Sequence, residues 1–158
     1  LNFVILRTGE GINLNRINMH EFYYLTMKVK KIGDIFPDDD MTKYFVGEVI
    51  VKKIVTRSDS DEVELYQVQF YNGARTRLHY HEVDQILIGN NGEGKIALYD
   101  NIKLSDPESG TILFKTQRMT AGDVILVPAY LWHWHGAIEN GNFSHYQIKK
   151  IGDTIWFE

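Results

Sequence analysis

Strict alternation governs the stretch from Val63 to Tyr71, where Tyr66, Val68 and Phe70 fall on one face and Gln67 and Gln69 on the other. A period of two is what a half-buried strand needs, because successive side chains leave a pleated backbone on opposite sides. The same short units recur at Tyr44–Val51, Ile54–Val55, Lys95–Tyr99, Thr111–Thr116, Val124–Val127, Trp132–Ile138, Phe143–Ile148 and Thr154–Phe157. Turn formers stand between them: the acidic break Phe36–Asp40, Gly92-Glu93-Gly94, Thr120–Asp123, and Glu139–Asn142 with its Asn-Gly pair. No segment holds the i, i+3, i+4 pattern over the length of an ordinary helix, and only Met19–Met27 shows a weak version of it. About ten short strands joined by turns leave a sandwich or a barrel, so the chain is expected to be all-β. Tyr66, Val68 and Phe70 are then expected to look inward and line a narrow, largely apolar pocket for a small-molecule substrate.

A chain of 158 residues, 44% hydrophobic, can bury one core and is short for two. Its net charge of -4, with Lys and Arg scattered, offers no basic field, and no nucleic-acid partner is expected. The absence of cysteine removes disulfides and thiolate metal sites, leaving imidazole, amide and carboxylate as ligands. No apolar run approaches the ~20 residues that cross a bilayer, and no cleavable signal pattern precedes the domain. A soluble, cytoplasmic protein without membrane contact is expected. Asp38-Asp39-Asp40 lacks the spacing, glycine and glutamate of a calcium loop and reads as a solvated turn. His20 has no second ligand at useful spacing and reads as a surface residue.

The chemistry-bearing residues lie in the second half of the chain. His79 and His81 stand two apart in a strand-like run, so both imidazoles leave the same face in a chelating arrangement. Gln85 begins the apolar run that follows and can bring an amide oxygen back to the same point. The segment Gly122–Ala137 delivers His133, and neutral imidazole is the commonest protein metal ligand. His135 shares the face of His133 about 6.6 Å along the strand, a distance that suits contact with a bound substrate better than ligation of the same ion. His145, with Gln147 on its face, is a second proton carrier for the pocket. Arg77 shares the strand parity of His79 and is placed at the pocket mouth, to hold an anionic substrate or to meet solvent. Trp132 and Trp134 fall on the face opposite His133, where they pack between sheets or at a subunit contact, and a homodimer is expected.

Gly73, His79-Tyr80-His81, Gln85 and Gly92 at their spacing, followed by Gly122, Pro128 and His133, resemble the paired motifs of the cupin superfamily. Gln85 stands where most members have Glu, Tyr130 where they usually have Gly, and Ala137 where Asn is frequent. The pattern is most similar to small single-domain manganese-type cupins, among them cupin hydroxynitrile lyases, and runs from Met27 to the C-terminus. The resemblance implies a double-stranded β-helix, or jelly-roll, barrel over residues 27–158, with residues 1–26 as an extension in which Phe3–Leu6 can add a strand. It implies one divalent ion on His79, His81, Gln85 and His133, with manganese or iron favoured and nickel, cobalt, copper or zinc also suited to such ligands. It also implies that His145 matches a pocket histidine of the lyases. Because an amide cannot take up a proton as Glu can, the base must be an imidazole, His135 or His145. A Lewis-acid lyase is the leading expectation; a metal-dependent dioxygenase and a non-enzymatic small-ligand-binding cupin are the alternatives. All ligands lie beyond the extension, so a chain starting at Met27 is expected to stay folded and to bind one metal per chain, checked by circular dichroism and metal analysis.

Overall fold

The computed structural model describes residues 27–100 and 112–157. The extension 1–26, with Phe3–Leu6 and His20, and nearly all of the polar loop 100–110 lie outside the described residues. The chain divides between Lys31 and Ile32. The segment 27–31 is exposed and carries no regular structure, and everything below concerns the unit that follows it.

Two 3-10 turns, Ile32–Asp34 and Asp39–Tyr44, lead into β1 (Phe45–Val46), β2 (Val49–Val55), β3 (Val63–Phe70), β4 (Arg75–Thr76) and β5 (His79–His81). Then come β6 (Gln85–Asp100), β7 (Ile112–Thr120), β8 (Val124–Val127), β9 (Trp132–Ala137), β10 (Phe143–Lys150) and β11 (Thr154–Trp156). All pairings are antiparallel, in the order β1-β4-β9-β6-β10-β3-β2, with β5 between β9 and β11, and with β7 and β8 on β6. The result is an all-β jelly-roll barrel. Val51, Val68, Phe70, Leu87, Ile96 and Phe143 stand at its core.

Several boundaries differ from the sequence expectation, each for a local reason. Asp38 caps the second 3-10 turn, its carboxylate accepting from the Asp40 N–H at 3.1 Å, so the acidic break starts a helical turn and Tyr44 closes it rather than opening a strand. Gly47, at φ 90°, then separates β1 from β2, and β2 continues through Ile54–Val55 with a register shift. Gly92-Glu93-Gly94, expected as a turn, lies inside β6. Gly92 takes φ 76° there, yet the strand is held across it because its partners change from β8 and β10 to β7 and β9. The Asn-Gly turn behaves as expected, with Asn140 at φ 58°.

One irregularity lies where β6 meets β10. Phe143 and His145 share the inward face, opposite Phe70 and Val68, while Ser144 lies between them on the other face, opposite Gln69, and is buried there with a hydrogen bond from Asn90 Nδ2 at 3.0 Å. The register slips here: Ser144 faces Asn91 and His145 faces Gly89, leaving Asn90 as the extra residue of a β-bulge. Gly89 meanwhile donates its N–H to the Asp123 carbonyl and accepts from Gly122 N–H, both at 2.9 Å, and a Cβ there would run into the Thr120 carbonyl. Gly89→Ala is expected to cost about 1–3 kcal/mol of stability through this overpacking, read as a lowered midpoint in thermal or denaturant melts.

Candidate metal centre

β5, β9, β6, β10 and β11 bring their polar inward residues to one place. His79 pairs across to His133 on β9 and to Trp156 on β11, while His81 pairs with Thr154. His79, His81, His133, His135, His145 and Gln85 are all buried, at 4% exposure or less. Ring centroids of His79 lie 5.0 Å from His81, 4.3 Å from His133 and 5.6 Å from His135.

The second nitrogen of each ring fixes what the first can do. His79 Nδ1 lies 2.8 Å from the Arg77 carbonyl and His133 Nδ1 lies 2.7 Å from the Leu131 carbonyl. A carbonyl only accepts, so both Nδ1 atoms carry the hydrogen and both Nε2 atoms present a lone pair. His81 Nδ1 contacts Thr154 Oγ1 at 2.8 Å, and its Nε2 is buried without a partner. Gln85 Nε2 donates to Gln147 Oε1 at 2.8 Å, which turns Gln85 Oε1 toward His133 Nε2 at 3.2 Å. Two lone pairs facing each other at that distance repel unless a cation draws both. The donor set therefore fits a divalent ion. Among the described residues, ligand nitrogens of His79, His133 and His135 also lie within 4.8 Å of one another. The one-repeat spacing argued from sequence thus understates how near His135 comes, since the rings converge from strands that twist. His135 Nδ1 is engaged with His145 Nε2 at 3.0 Å, leaving His135 Nε2 and His145 Nδ1 without partners.

Burial governs the protonation of the cluster. It drives His79 well below the ordinary imidazole value, aided by the neighbouring His133 and His81, and it pushes His81 down to about 3, aided by His133 and Lys149. His133 is lowered to about 4 against the opposing hydrogen bond to Leu131. His135 is held well below the usual range by burial and then by His145, and His145 falls to about 4.

A cavity of about 270 Å³ opens beside the cluster, lined by Tyr66, Val68, His79, His81, His135 and Trp156 among others. Of the residues expected there, Phe70 stands elsewhere, and Arg77 does not line the cavity but meets solvent, one of its two expected positions. Phe70, at 1% exposure, sits deeper on the same face of β3 and packs against Phe45, Phe143, His135 and His145. Arg77 is exposed and its Nε donates to the Lys43 carbonyl at 3.0 Å, because the chain leaves strand geometry between β4 and β5 and parity does not carry across the break. Trp132 packs edge-on against Tyr80 and Phe157, and Trp134 lies beneath Arg75 and Lys95, both away from the cavity as their parity implied.

Sequence reasoning missed two groups. Trp156 packs at a tilt against His79, centroids 4.4 Å apart, and stacks on Tyr44 at 4.5 Å, and all three line the cavity. Glu64 and Lys149 form a buried pair at 2.7 Å on the same wall. Parity was the available signal: Glu64 shares the face of Tyr66 and Val68, Lys149 that of His145 and Gln147, and the two residues are direct cross-strand partners.

Among the described residues no helix is long and apolar enough to cross a membrane. An all-β barrel with a buried imidazole cluster able to hold a metal defines the class of protein. The cupin family model matches residues 62–150, and the chain belongs to that family. It is 27% identical to an (R)-mandelonitrile lyase of Granulicella tundricola over 84% of this chain and 93% of the relative. A cupin-like protein of Thermotoga maritima superposes with a TM-score of 0.59 at 28% identity, over 82% of this chain and 88% of the other. A polyketide cyclase of Streptomyces resistomycificus shares the fold at 15% identity, with a TM-score of 0.65 over 84% and 87% of the two chains.

The lowered imidazole values carry a pH signature. Unfolded, these groups titrate near 6.5, and folded ones such as His145 near about 4, so between those values the unfolded chain binds more protons and stability rises with pH. Each such histidine adds a slope of about 1.4 kcal/mol per pH unit inside that window. The metal-free protein is expected to melt at progressively lower temperature from pH 7 to pH 5, with little change above 7. A midpoint that does not fall across that range contradicts the neutral, buried cluster.

Proposed function

We propose that this chain is a metal-dependent lyase of small hydroxyl-bearing molecules. His79, His81, Gln85 and His133 hold one divalent ion, and the His135–His145 pair moves the proton. The observation that carries the proposal is the convergence of His133 Nε2 and Gln85 Oε1, 3.2 Å apart with no hydrogen between them, beside the unpartnered Nε2 of His81. His81 completes the set in preference to His135, because its Nδ1 is anchored to Thr154 in the manner of His79 and His133, whereas His135 is tied to His145. Anchoring of this kind fixes ring orientation and ligand basicity. Manganese or iron is the favoured ion. Held by these neutral ligands, such an ion would supply Lewis acidity at a substrate oxygen.

The chain's own residues do the rest. Tyr66, Val68 and Trp156 enclose the substrate, and His135, which lines the cavity and whose buried Nε2 has no protein partner, accepts the hydroxyl proton. Its hydrogen bond to His145 holds the ring in place and links the two imidazoles for proton movement. For a cyanohydrin, loss of that proton turns the C–O bond into a carbonyl as the C–C bond to the nitrile breaks, and cyanide leaves with the electron pair. The similarity to an (R)-mandelonitrile lyase over most of both chains supports this class.

Metal analysis and turnover of mandelonitrile test the assignment together. His79→Ala and His133→Ala are expected to lose stoichiometric metal; His135→Ala and His145→Ala are expected to keep it while turnover drops by roughly 100- to 10,000-fold. Cleavage should proceed without O₂. Metal lost in His135→Ala but kept in His81→Ala would reassign the third imidazole, and strict dependence on O₂ would replace the lyase by a dioxygenase.

A further inference from the structure

We propose that the cavity takes a small carboxylate and that Lys149 receives it, the carboxylate oxygen accepting the ammonium hydrogen that the protein leaves free. The proposal rests on the metal-centre assignment only for where the reacting oxygen lies.

Lys149 is a cation turned inward, its side chain 4% exposed. It sits opposite Glu64 on β3 and opposite Gln85 on β6, one strand repeat from Gln147 on β10. Among the described residues its ammonium makes two contacts, to Glu64 Oε2 at 2.7 Å and to the Gly152 carbonyl at 2.8 Å. An ammonium carries three hydrogens, so one remains. Lys149 lines the cavity together with His81. A ligand oxygen between them is within reach of the ammonium's remaining N–H.

The neighbours favour an anion over a cation or a neutral group. Glu64 is the buried carboxylate of this wall, and Lys149 already occupies one of its oxygens; its other oxygen lies 3.9 Å from Arg57 Nε. Arg57 reaches Asp153 at 3.8 Å, and both of its contacts are longer than hydrogen bonds, so its donors stay open at the rim, where its side chain is 62% exposed. An incoming cation finds an exposed Asp153 and no free buried carboxylate, while an incoming carboxylate finds a buried N–H donor and an exposed guanidinium. The remaining walls, Met41, Tyr44, Val68 and Trp156, leave space for a short apolar body.

Lactate and lactamide, nearly equal in shape and different in charge, test this by calorimetric titration of the manganese-loaded protein. Lactate is expected to bind at least roughly tenfold tighter, the difference a charge-assisted hydrogen bond makes. The double variant Lys149→Met/Glu64→Gln removes both charges together, so no lone ion stays buried, and it is expected to lose that preference while keeping stoichiometric metal. Equal binding of the two probes by the wild type overturns the proposal, as does a lactate preference that survives in the double variant, which would place the anion on the ion itself. A crystal structure of the lactate complex decides the matter without any variant: a carboxylate within hydrogen-bond distance of Lys149 Nζ is expected, and one seated elsewhere refutes it. If the protein takes up no metal the lyase assignment fails separately, and the same probe pair on the metal-free protein still decides the carboxylate site.

Discussion

Five imidazoles are buried side by side and, among the described residues, no carboxylate is hydrogen-bonded to any of them; that burial without countercharge organises the barrel. Burial makes the charged form costly, so the rings are neutral. A neutral buried imidazole still has a hydrogen to place. For His79 and His133 it goes to a carbonyl two residues upstream, Arg77 and Leu131, each at the entry to a strand. The backbone thereby sets the tautomer, and the tautomer aims the lone pairs inward. Ligand geometry is thus fixed by strand entry and not by the ion.

Along β3 and β10 the interior changes character in register. Phe70 faces Phe143, Val68 faces His145, Tyr66 faces Gln147 and Glu64 faces Lys149. Each step outward adds polarity, from an aromatic floor through the imidazole layer to an ion pair. The aromatic floor also supports the His135–His145 pair, since Phe70 lies edge-on to His135 and 5.4 Å from His145. A buried ion pair of this kind gains little net stability compared with an apolar replacement, which accords with the recognition role proposed for Lys149.

Much of this was legible because a period of two is a rigid code. The shared face of His79 and His81, the inward direction of Tyr66 and Val68, and the outward placement of Trp132 and Trp134 all follow from it. Parity does not carry across a strand break, and Arg77 accordingly takes the solvent side of its two expected positions. Along β10 parity holds, His145 facing inward opposite Val68 although β6 bulges beside it at Asn90. Depth along a face is invisible to parity, which is why Phe70 was expected at the pocket and stands beneath it. Glu64 and Lys149 obeyed the rule and were overlooked because charged residues at strand ends ordinarily meet water.

β6 carries a further consequence. It pairs with β7, β8, β9 and β10, all of which follow it in the chain, and it begins with Gln85 and bulges at Asn90 beside β10. During synthesis a 16-residue strand must therefore wait, edges bare, until its partners emerge. Such non-local pairing is slow and exposes sticky backbone while it proceeds. The imidazole-lined interior of the finished barrel is thus assembled late, and pairing between bare edges of separate nascent chains is the hazard this topology carries.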